Sequence, residues 1–340
     1  MSFLAWLACR FNSIFRSLAA WLPALALVPL LVLAVEPAAA QDKVQAPTAL
    51  EEITLQLKWR HQFQFAGYYA AIEKGYYRQV GLKIKLLEAT AGVDPAEVVL
   101  GGRAQYGIAT SDLVLLRSKG KPVVALAAIY QHSPLVFLTL ANQGIATVHD
   151  LAHQVIAVEP QAAELLAYLE KEGLKLSKLK IVPHGFDVKA LLQGEVAATS
   201  AYSTDEPFEL KQAEVAYKIF DPRSVGIDFY GDTLFTTEAE LAKHPARVAR
   251  FVEATRQGWR YAMDNPDEII ACILAKYSKR HSREQLKFEA TESRNLILPG
   301  AVEFGHMNPE RWRRIADTYA FLKMMPANFD FSGFIYNPKP

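Results

Sequence analysis

Between residues 53 and 220 the chain repeats one grammar: a short apolar strand, a helix, then another strand. Ile53 to Leu57 alternates as a strand does. Gly67 to Lys74 reads as a helix that stops before Gly75, and Leu82 to Leu87 places apolar residues at period two. Asp94-Pro95 opens a helix by side-chain capping and by the fixed φ of proline, and Gly101-Gly102 closes it. Tyr106 to Ala109 is a short strand, Ser111 or Asp112 caps the helix that runs through Arg117, and Val123 to Ile129 is a strand. Further strands are expected at 155–158, 179–183, 197–202 and 217–220, with helices at 162–172, 187–192 and 206–213. From Glu238 the pattern turns mostly helical, with segments at 238–242, 245–264, 266–277, 282–294 and 309–323. Such alternation predicts an α/β fold with parallel or mixed sheets. Two extended stretches, Pro134 to Leu140 and Asp232 to Thr236, read as crossings between two lobes. The expected division is 51–140 plus 234–340 for a discontinuous first lobe and 141–233 for the second. In open α/β sheets ligands sit at the carboxyl ends of strands. Between two lobes that edge becomes a cleft, and closure is a hinge motion.

The segment before this grammar belongs to export rather than to the fold. Arg10 and Arg16 form a positive start, Leu18 to Val35 is apolar but interrupted by Pro23 and Pro29, and Ala38-Ala39-Ala40 is a small-residue cleavage site. Residues 1–40 are therefore expected to be a signal peptide cut after Ala40, with an uncleaved membrane anchor as the alternative. Residues 41–50 read as a polar linker. Removing Arg10, Arg16 and Glu36 leaves 35 basic and 35 acidic residues. A zero balance points to no nucleic-acid partner and no anionic membrane surface. Cys272 alone remains of two cysteines, on what reads as a buried helix face, so a disulfide framework, thiol chemistry and cysteine metal sites are excluded.

Function first shows itself in the segment Trp59-Arg60-His61-Gln62-Phe63-Gln64-Phe65-Ala66-Gly67-Tyr68-Tyr69. Aromatic and amide side chains alternate there between a strand and a helix start. Rings stack on a flat polar ligand, amides pair with ring nitrogens, and a helix start offers free N–H groups. Trp59, Phe63, Phe65 and Tyr68 are the candidates for stacking, with core packing as the competing role. Gln62 and Gln64 are candidates for pairing. Thr110, Ser111 and Asp112 stand at a strand-to-helix turn, where a cap also faces the cleft. Tyr202, Thr204 and Asp205 or Glu206 follow the last strand of the second lobe; a carboxylate there can accept from an exocyclic amine or cap the helix at Glu206-Pro207. Asp228, Tyr230 and Asp232 precede the return crossing and are read as hinge and ligand hydrogen-bonding groups, since no nucleophile accompanies them. His149 and His153 are four apart, but no third ligand joins them, and surface histidines are the reading. No metal and no cofactor are expected.

Several blocks carry a resemblance: Leu57-Lys58-Trp59, Ala66 to Ala71, Glu73-Lys74-Gly75-Tyr76-Tyr77, Gly102 to Ile108, Lys119 to Val123, Gln131-His132-Ser133-Pro134, Asp205-Glu206-Pro207 and Gly226 to Phe235. In this order they resemble the family of exported binding proteins for thiamine-pyrimidine precursors, related to the thiamine-pyrimidine synthases and to sulfonate-binding proteins. The resemblance implies a type II periplasmic-binding fold and a formylaminopyrimidine- or hydroxymethylpyrimidine-like heterocycle as ligand. It also implies delivery to an ABC permease in the inner membrane by a periplasmic monomer. The synthase branch uses a lysine for pyridoxal phosphate and a nearby histidine just after the strand matching Tyr106 to Ile108. Here that stretch is Ala109-Thr110-Ser111-Asp112-Leu113. The synthases' cysteine cluster aligns near Asp228 to Asp232, where this chain has none. A Schiff base needs an amine, so synthase activity is the alternative, as is a sensor module with the same domain.

Overall fold

The computed structural model describes residues 49–90 and 93–337. The expected signal peptide and most of the expected linker lie outside the described residues. Ten strands form two five-stranded sheets. The strands are β1 Glu51–Gln56, β2 Leu82–Leu87, β3 Tyr106–Ala109, β4 Val123–Ala128, β5 Leu135–Leu140, β6 Val155–Val158, β7 Lys180–Pro183, β8 Ala198–Tyr202, β9 Tyr217–Phe220 and β10 Thr233–Thr237. The helices are α1 Ala66–Glu73, α2 Tyr76–Gln79, α3 Pro95–Leu100, α4 Leu113–Ser118, α5 Ala163–Lys171, α6 Lys189–Leu192, α7 Glu206–Gln212, α8 Glu238–Lys243, α9 Pro245–Asp264, α10 Pro266–Cys272, α11 Arg283–Ile297 and α12 Pro309–Phe321.

The first sheet has the order β2-β1-β3-β10-β4 and the second β7-β6-β8-β5-β9. Each is the same arrangement. Three parallel strands are followed by one antiparallel strand that the chain supplies directly after crossing from the other lobe. β5 is antiparallel to β8 and β9, and β10 is antiparallel to β3 and β4. This two-lobed α/β architecture is the type II fold that the resemblance implied.

The same pairing corrects the lobe boundaries. Residues 134–140 and 232–236 were expected to be crossings. Leu135–Leu140 is instead a strand of the second sheet, and Thr233–Thr237 a strand of the first. Every residue of β5 is buried. An apolar run buried on both faces has no alternation to announce it as a strand. The true crossings are residues 129–134 and 221–232, and they run side by side. Ile129 N–H donates to the Asp232 carbonyl (2.8 Å), Gly231 N–H to Tyr130 (3.0 Å) and Ser133 N–H to Phe229 (3.0 Å).

Local signals explain the rest. Asp94 caps α3 through Ala96 N–H at 2.8 Å, with Pro95 in the first turn. α1 ends before Gly75, whose φ of +76° is open to glycine. The helix expected over 266–277 is α10 followed by a π-helical turn at Ile273–Tyr277. Cys272, expected to be buried, is half-buried at that junction. α9 and α1 pack closely, with Trp259 edge-on to Tyr68 at 5.8 Å. Among the described residues no helix is long and apolar enough to cross a membrane.

Candidate functional site

The carboxyl ends of β1, β6, β7 and β8 converge between the lobes, and residues at or shortly past each end carry the chemistry. Lys58 and Trp59 follow β1, Glu159 follows β6, and His184 follows β7; Tyr202 is the last residue of β8. Trp59 packs edge-on against Phe186 (centroids 4.4 Å) and lies 5.4 Å from the His184 ring, so an aromatic from each lobe meets at the seam. Beside them opens a cavity of about 620 Å³, lined from the first lobe by Trp59, Gln62 and Arg280 and from the second by Phe186, Asp205 and Glu206.

Beneath this mouth the lobes are joined by a buried polar chain. Lys58 Nζ donates to Tyr202 Oη at 2.7 Å. Tyr202 O–H donates to Asp232 Oδ1 at 2.8 Å, and Gln64 Nε2 donates to Asp232 Oδ2 at 2.8 Å. Gln62 Nε2 donates to Gln64 Oε1 at 3.1 Å. Lys58 also pairs with Glu159 at 3.7 Å. Asp205 accepts from Gln285 Nε2 at 3.0 Å, and Glu206 accepts from Tyr202 N–H at 2.8 Å. Burial pushes the carboxyls of Glu159, Asp205, Glu206 and Asp232 upward, and Lys58 opposes the shift at Glu159 and Asp232. Among the described residues this bed sets four carboxylates against one buried ammonium. Such a bed receives hydrogen-bond donors, and the wider mouth above it carries Arg60, Lys189 and Arg280.

The turn that presents Gln62 and Gln64 is itself held from behind. Glu289 on α11, fully enclosed, accepts from Phe63 N–H at 2.8 Å and Gln64 N–H at 2.7 Å. These are free donors of the short helical turn at Phe63–Phe65. Burial raises the Glu289 carboxyl well above the usual range.

The expected site residues separate into three groups. Trp59, Gln62, Tyr202 and Glu206 line the cleft, and Asp232 is tied into the polar chain. Thr204 is completely buried beside them with its hydroxyl unpartnered. Thr110, Ser111 and Asp112 face the other lobe as a clasp. Thr110 Oγ1 donates to the Gln161 carbonyl (2.8 Å), and Asp112 accepts from Ala163 N–H (3.1 Å) and Tyr319 O–H (3.0 Å). Ser111 or Asp112 was expected to cap α4; neither side chain does, and Asp112 caps α5 of the opposite lobe instead. Its carboxyl is pushed up to about 6 by burial, against the hydrogen bonds from Ala163 and Tyr319. Ser111 Oγ donates to the Tyr230 carbonyl at 2.7 Å.

The third group lies away from the cleft. Phe63, with no exposure, and Tyr68 pack into the first lobe's core, because the turn and α1 point them inward. Tyr230 turns to the C-terminal helix, where its hydroxyl accepts from Asn308 N–H (2.9 Å) and Arg311 covers its ring. Asp228 is half-exposed, paired with His132 (2.7 Å) and Arg311 (3.2 Å). It lines a separate groove with Lys171 and Phe321. Lys58, Glu159, His184, Phe186 and Glu289 were not singled out from the sequence. The rule that strand ends face the cleft locates the first three; Glu289, in mid-helix, carries no local signal.

Pyridoxal phosphate, which the synthase branch consumes and binds through a lysine, meets no amine at Ala109 or Leu113. Lys58, the buried lysine of the cleft, is already engaged by Tyr202 and Glu159.

Known proteins resemble most of the chain. The riboflavin-binding protein RibY of Chloroflexus aurantiacus is 29% identical over 310 residues, covering 86% of this chain and 88% of that protein. The formylaminopyrimidine-binding protein of Halalkalibacterium halodurans is 25% identical, with 78% and 84% covered. A 4-amino-5-hydroxymethyl-2-methylpyrimidine phosphate synthase of Legionella pneumophila is 23% identical, with 82% and 89% covered. Among solved structures, the periplasmic aliphatic sulphonate binding protein SsuA of Escherichia coli superposes with a TM-score of 0.60 at 17% identity, covering 85% of this chain and 98% of that one. At that identity the likeness establishes the fold. The sequence pattern described as NMT1/THI5 like matches residues 62–269, most of the described chain, and the protein belongs to the NMT1/THI5-like family.

Proposed function

We propose that the chain is an exported solute-binding protein of an ABC importer, and that it holds a flat nitrogen heterocycle of the thiamine-pyrimidine-precursor class by closing its two lobes. It performs no chemistry on that ligand and uses no cofactor. The closed form docks as a monomer on a permease in the inner membrane. The observation that carries this reading is the buried bed under Trp59, built from both lobes, with four carboxylates around one ammonium. Ring amines donate to the carboxylates of the bed and the indole stacks on the ring, while Arg60, Lys189 and Arg280 stand at the wider mouth rather than in the bed. Two relatives named for riboflavin and formylaminopyrimidine support a flat nitrogen heterocycle, and the second of them supports the pyrimidine.

Calorimetric titration of the purified protein tests it. 4-Amino-5-hydroxymethyl-2-methylpyrimidine should bind, and alkanesulfonate should give no heat. Trp59→Ala should weaken binding by roughly tenfold, since an aromatic stack contributes about 0.5–1.5 kcal/mol beyond the area it buries. Heat from riboflavin alone would move the assignment to a larger ring system, and no heat from any aminopyrimidine would remove the pyrimidine. A Schiff-base absorbance on adding pyridoxal phosphate would favour the synthase reading instead.

A further inference from the structure

Behind Trp59 lies a second, nearly closed chamber of about 20 Å³ between the lobes, lined by Lys58, Trp59, Pro95, Glu159, His184 and Phe186. That volume admits one water-sized group and no ring. Two of its lining side chains, each more than nine-tenths buried, carry an atom with no hydrogen-bond partner: Glu159 Oε1 and His184 Nε2. Buried polar atoms of native proteins are nearly always partnered, so a pair of orphans in one chamber calls for a guest.

The chemistry of the guest follows from the two atoms. His184 Nδ1 accepts from Phe186 N–H at 2.9 Å, which places the ring proton on Nε2. Burial lowers the imidazole to about 4, so the ring is neutral and Nε2–H is a single donor. The neighbouring Ser200 carbonyl accepts from the Thr199 hydroxyl at 3.1 Å and also favours the charged imidazole, but Nε2 makes no hydrogen bond to it. Glu159 Oε1 is an acceptor whose neighbouring cation, Lys58, stands at 3.7 Å without a hydrogen bond, and whose other charged neighbours, Asp232 and Asp112, are themselves acceptors. The unpartnered side-chain atoms of the chamber's lining are thus one donor and one acceptor, and its volume is that of about one heavy atom. A hydroxyl satisfies both at once: its O–H donates to Glu159, and its oxygen accepts from His184. An ammonium has no lone pair for His184 and meets Lys58 as a like charge. A methyl group satisfies neither atom.

We propose that this chamber is the subsite for a hydroxyl group of the ligand, and that His184 and Glu159 are the residues that select a hydroxyl-bearing heterocycle over its deoxy or aminomethyl counterparts. The inference rests on the functional reading above and adds the substituent that the site selects. A site built to hydrogen-bond a hydroxyl discriminates strongly against the analogue that lacks it, because the analogue leaves buried groups unpaired.

The test is a two-by-two titration with 4-amino-5-hydroxymethyl-2-methylpyrimidine and 4-amino-2,5-dimethylpyrimidine, against the wild-type protein and His184→Leu. The wild type should bind the dimethyl compound at least tenfold more weakly. In His184→Leu that preference should shrink to within about threefold, mostly through loss of affinity for the hydroxymethyl compound. His184→Gln, which retains an N–H donor, should keep a preference above threefold. Equal affinities in the wild type would overturn the inference, the chamber then holding a water only. A tenfold preference that survives unchanged in His184→Leu would overturn it as well. Should His184→Leu not fold, the wild-type pair and His184→Gln still decide. Failure of the wild type to bind either compound would bring down the functional reading, and the subsite with it; binding of both without preference would bring down the subsite alone.

Discussion

Gly258→Ala is expected to cost about 3 kcal/mol or more, at or beyond the upper end of what overpacking in a core produces. An alanine Cβ at 258 on α9 would stand 2.1 Å from the Gly67 carbonyl oxygen and 2.7 Å from Ala71 Cβ, so the clash is with the backbone of α1 itself. No rotamer relieves it; the helices must move apart. Gly67→Ala meets the same crossing from the other side, 2.2 Å from Trp259 Cγ. Trp259 is buried against Tyr68 and has nowhere to swing. The melting temperature of Gly258→Ala should fall by roughly 6–12 °C. A fall of less than 2 °C would mean that α1 and α9 do not touch as described. The effect bears on function because α1 leads directly out of the turn that presents Gln62 and Gln64.

Asp232→Ala should be comparably damaging, for an electrostatic reason. Asp232 is the common acceptor for Tyr202 and Gln64, and Tyr202 in turn accepts from Lys58. Removing it leaves the Tyr202 O–H and the Gln64 amide N–H without an acceptor, and takes away one of the buried carboxylates near Lys58, which keeps its bond to the Tyr202 oxygen and Glu159 at 3.7 Å. Breaking a buried charged network by deleting one partner costs about 3–5 kcal/mol. The chain joins Lys58 and Gln64 of the first lobe to Tyr202 of the second, so closure should suffer with stability. Asp232→Asn keeps the shape and one acceptor oxygen, and should lose about half as much. Denaturant midpoints read the first effect, and ligand titration of the folded variants reads the second. Equal midpoints for Asp232→Ala and the wild type would show that the chain contributes nothing.

The order of strands and helices was legible because caps and periodicity announce it. Asp94-Pro95 and Gly75 mark ends where the structure puts them, and the 20-residue α9 begins at its proline. The two crossings were misplaced for one physical reason. β5 and β10 enter their sheets in mid-sheet, are buried on both faces, and pair only with strands distant in sequence, so nothing local marks them. The candidate site was legible where a residue sits at a strand end, as Trp59 and Tyr202 do. It was illegible where side-chain direction decides. Phe63 and Gln64 are neighbours in one short turn, yet one enters the core and the other the cleft, and Glu289, which fixes that turn, comes from 225 residues away. Asp112 looks like a cap, and is one, but for a helix of the other lobe.

If the protein works as proposed, its carboxylate-lined cleft closes over an amine-bearing heterocycle. Thermal unfolding with and without 4-amino-5-hydroxymethyl-2-methylpyrimidine tests this most directly, because a ligand that binds only the folded, closed state must raise its stability. At a hundredfold excess over Kd the gain is about 2.7 kcal/mol, or a rise in Tm of roughly 5–10 °C, and Trp59→Ala should show a smaller rise at the same concentration. An unchanged Tm with this compound and with other aminopyrimidines, alongside a clear rise with an alkanesulfonate, would contradict it.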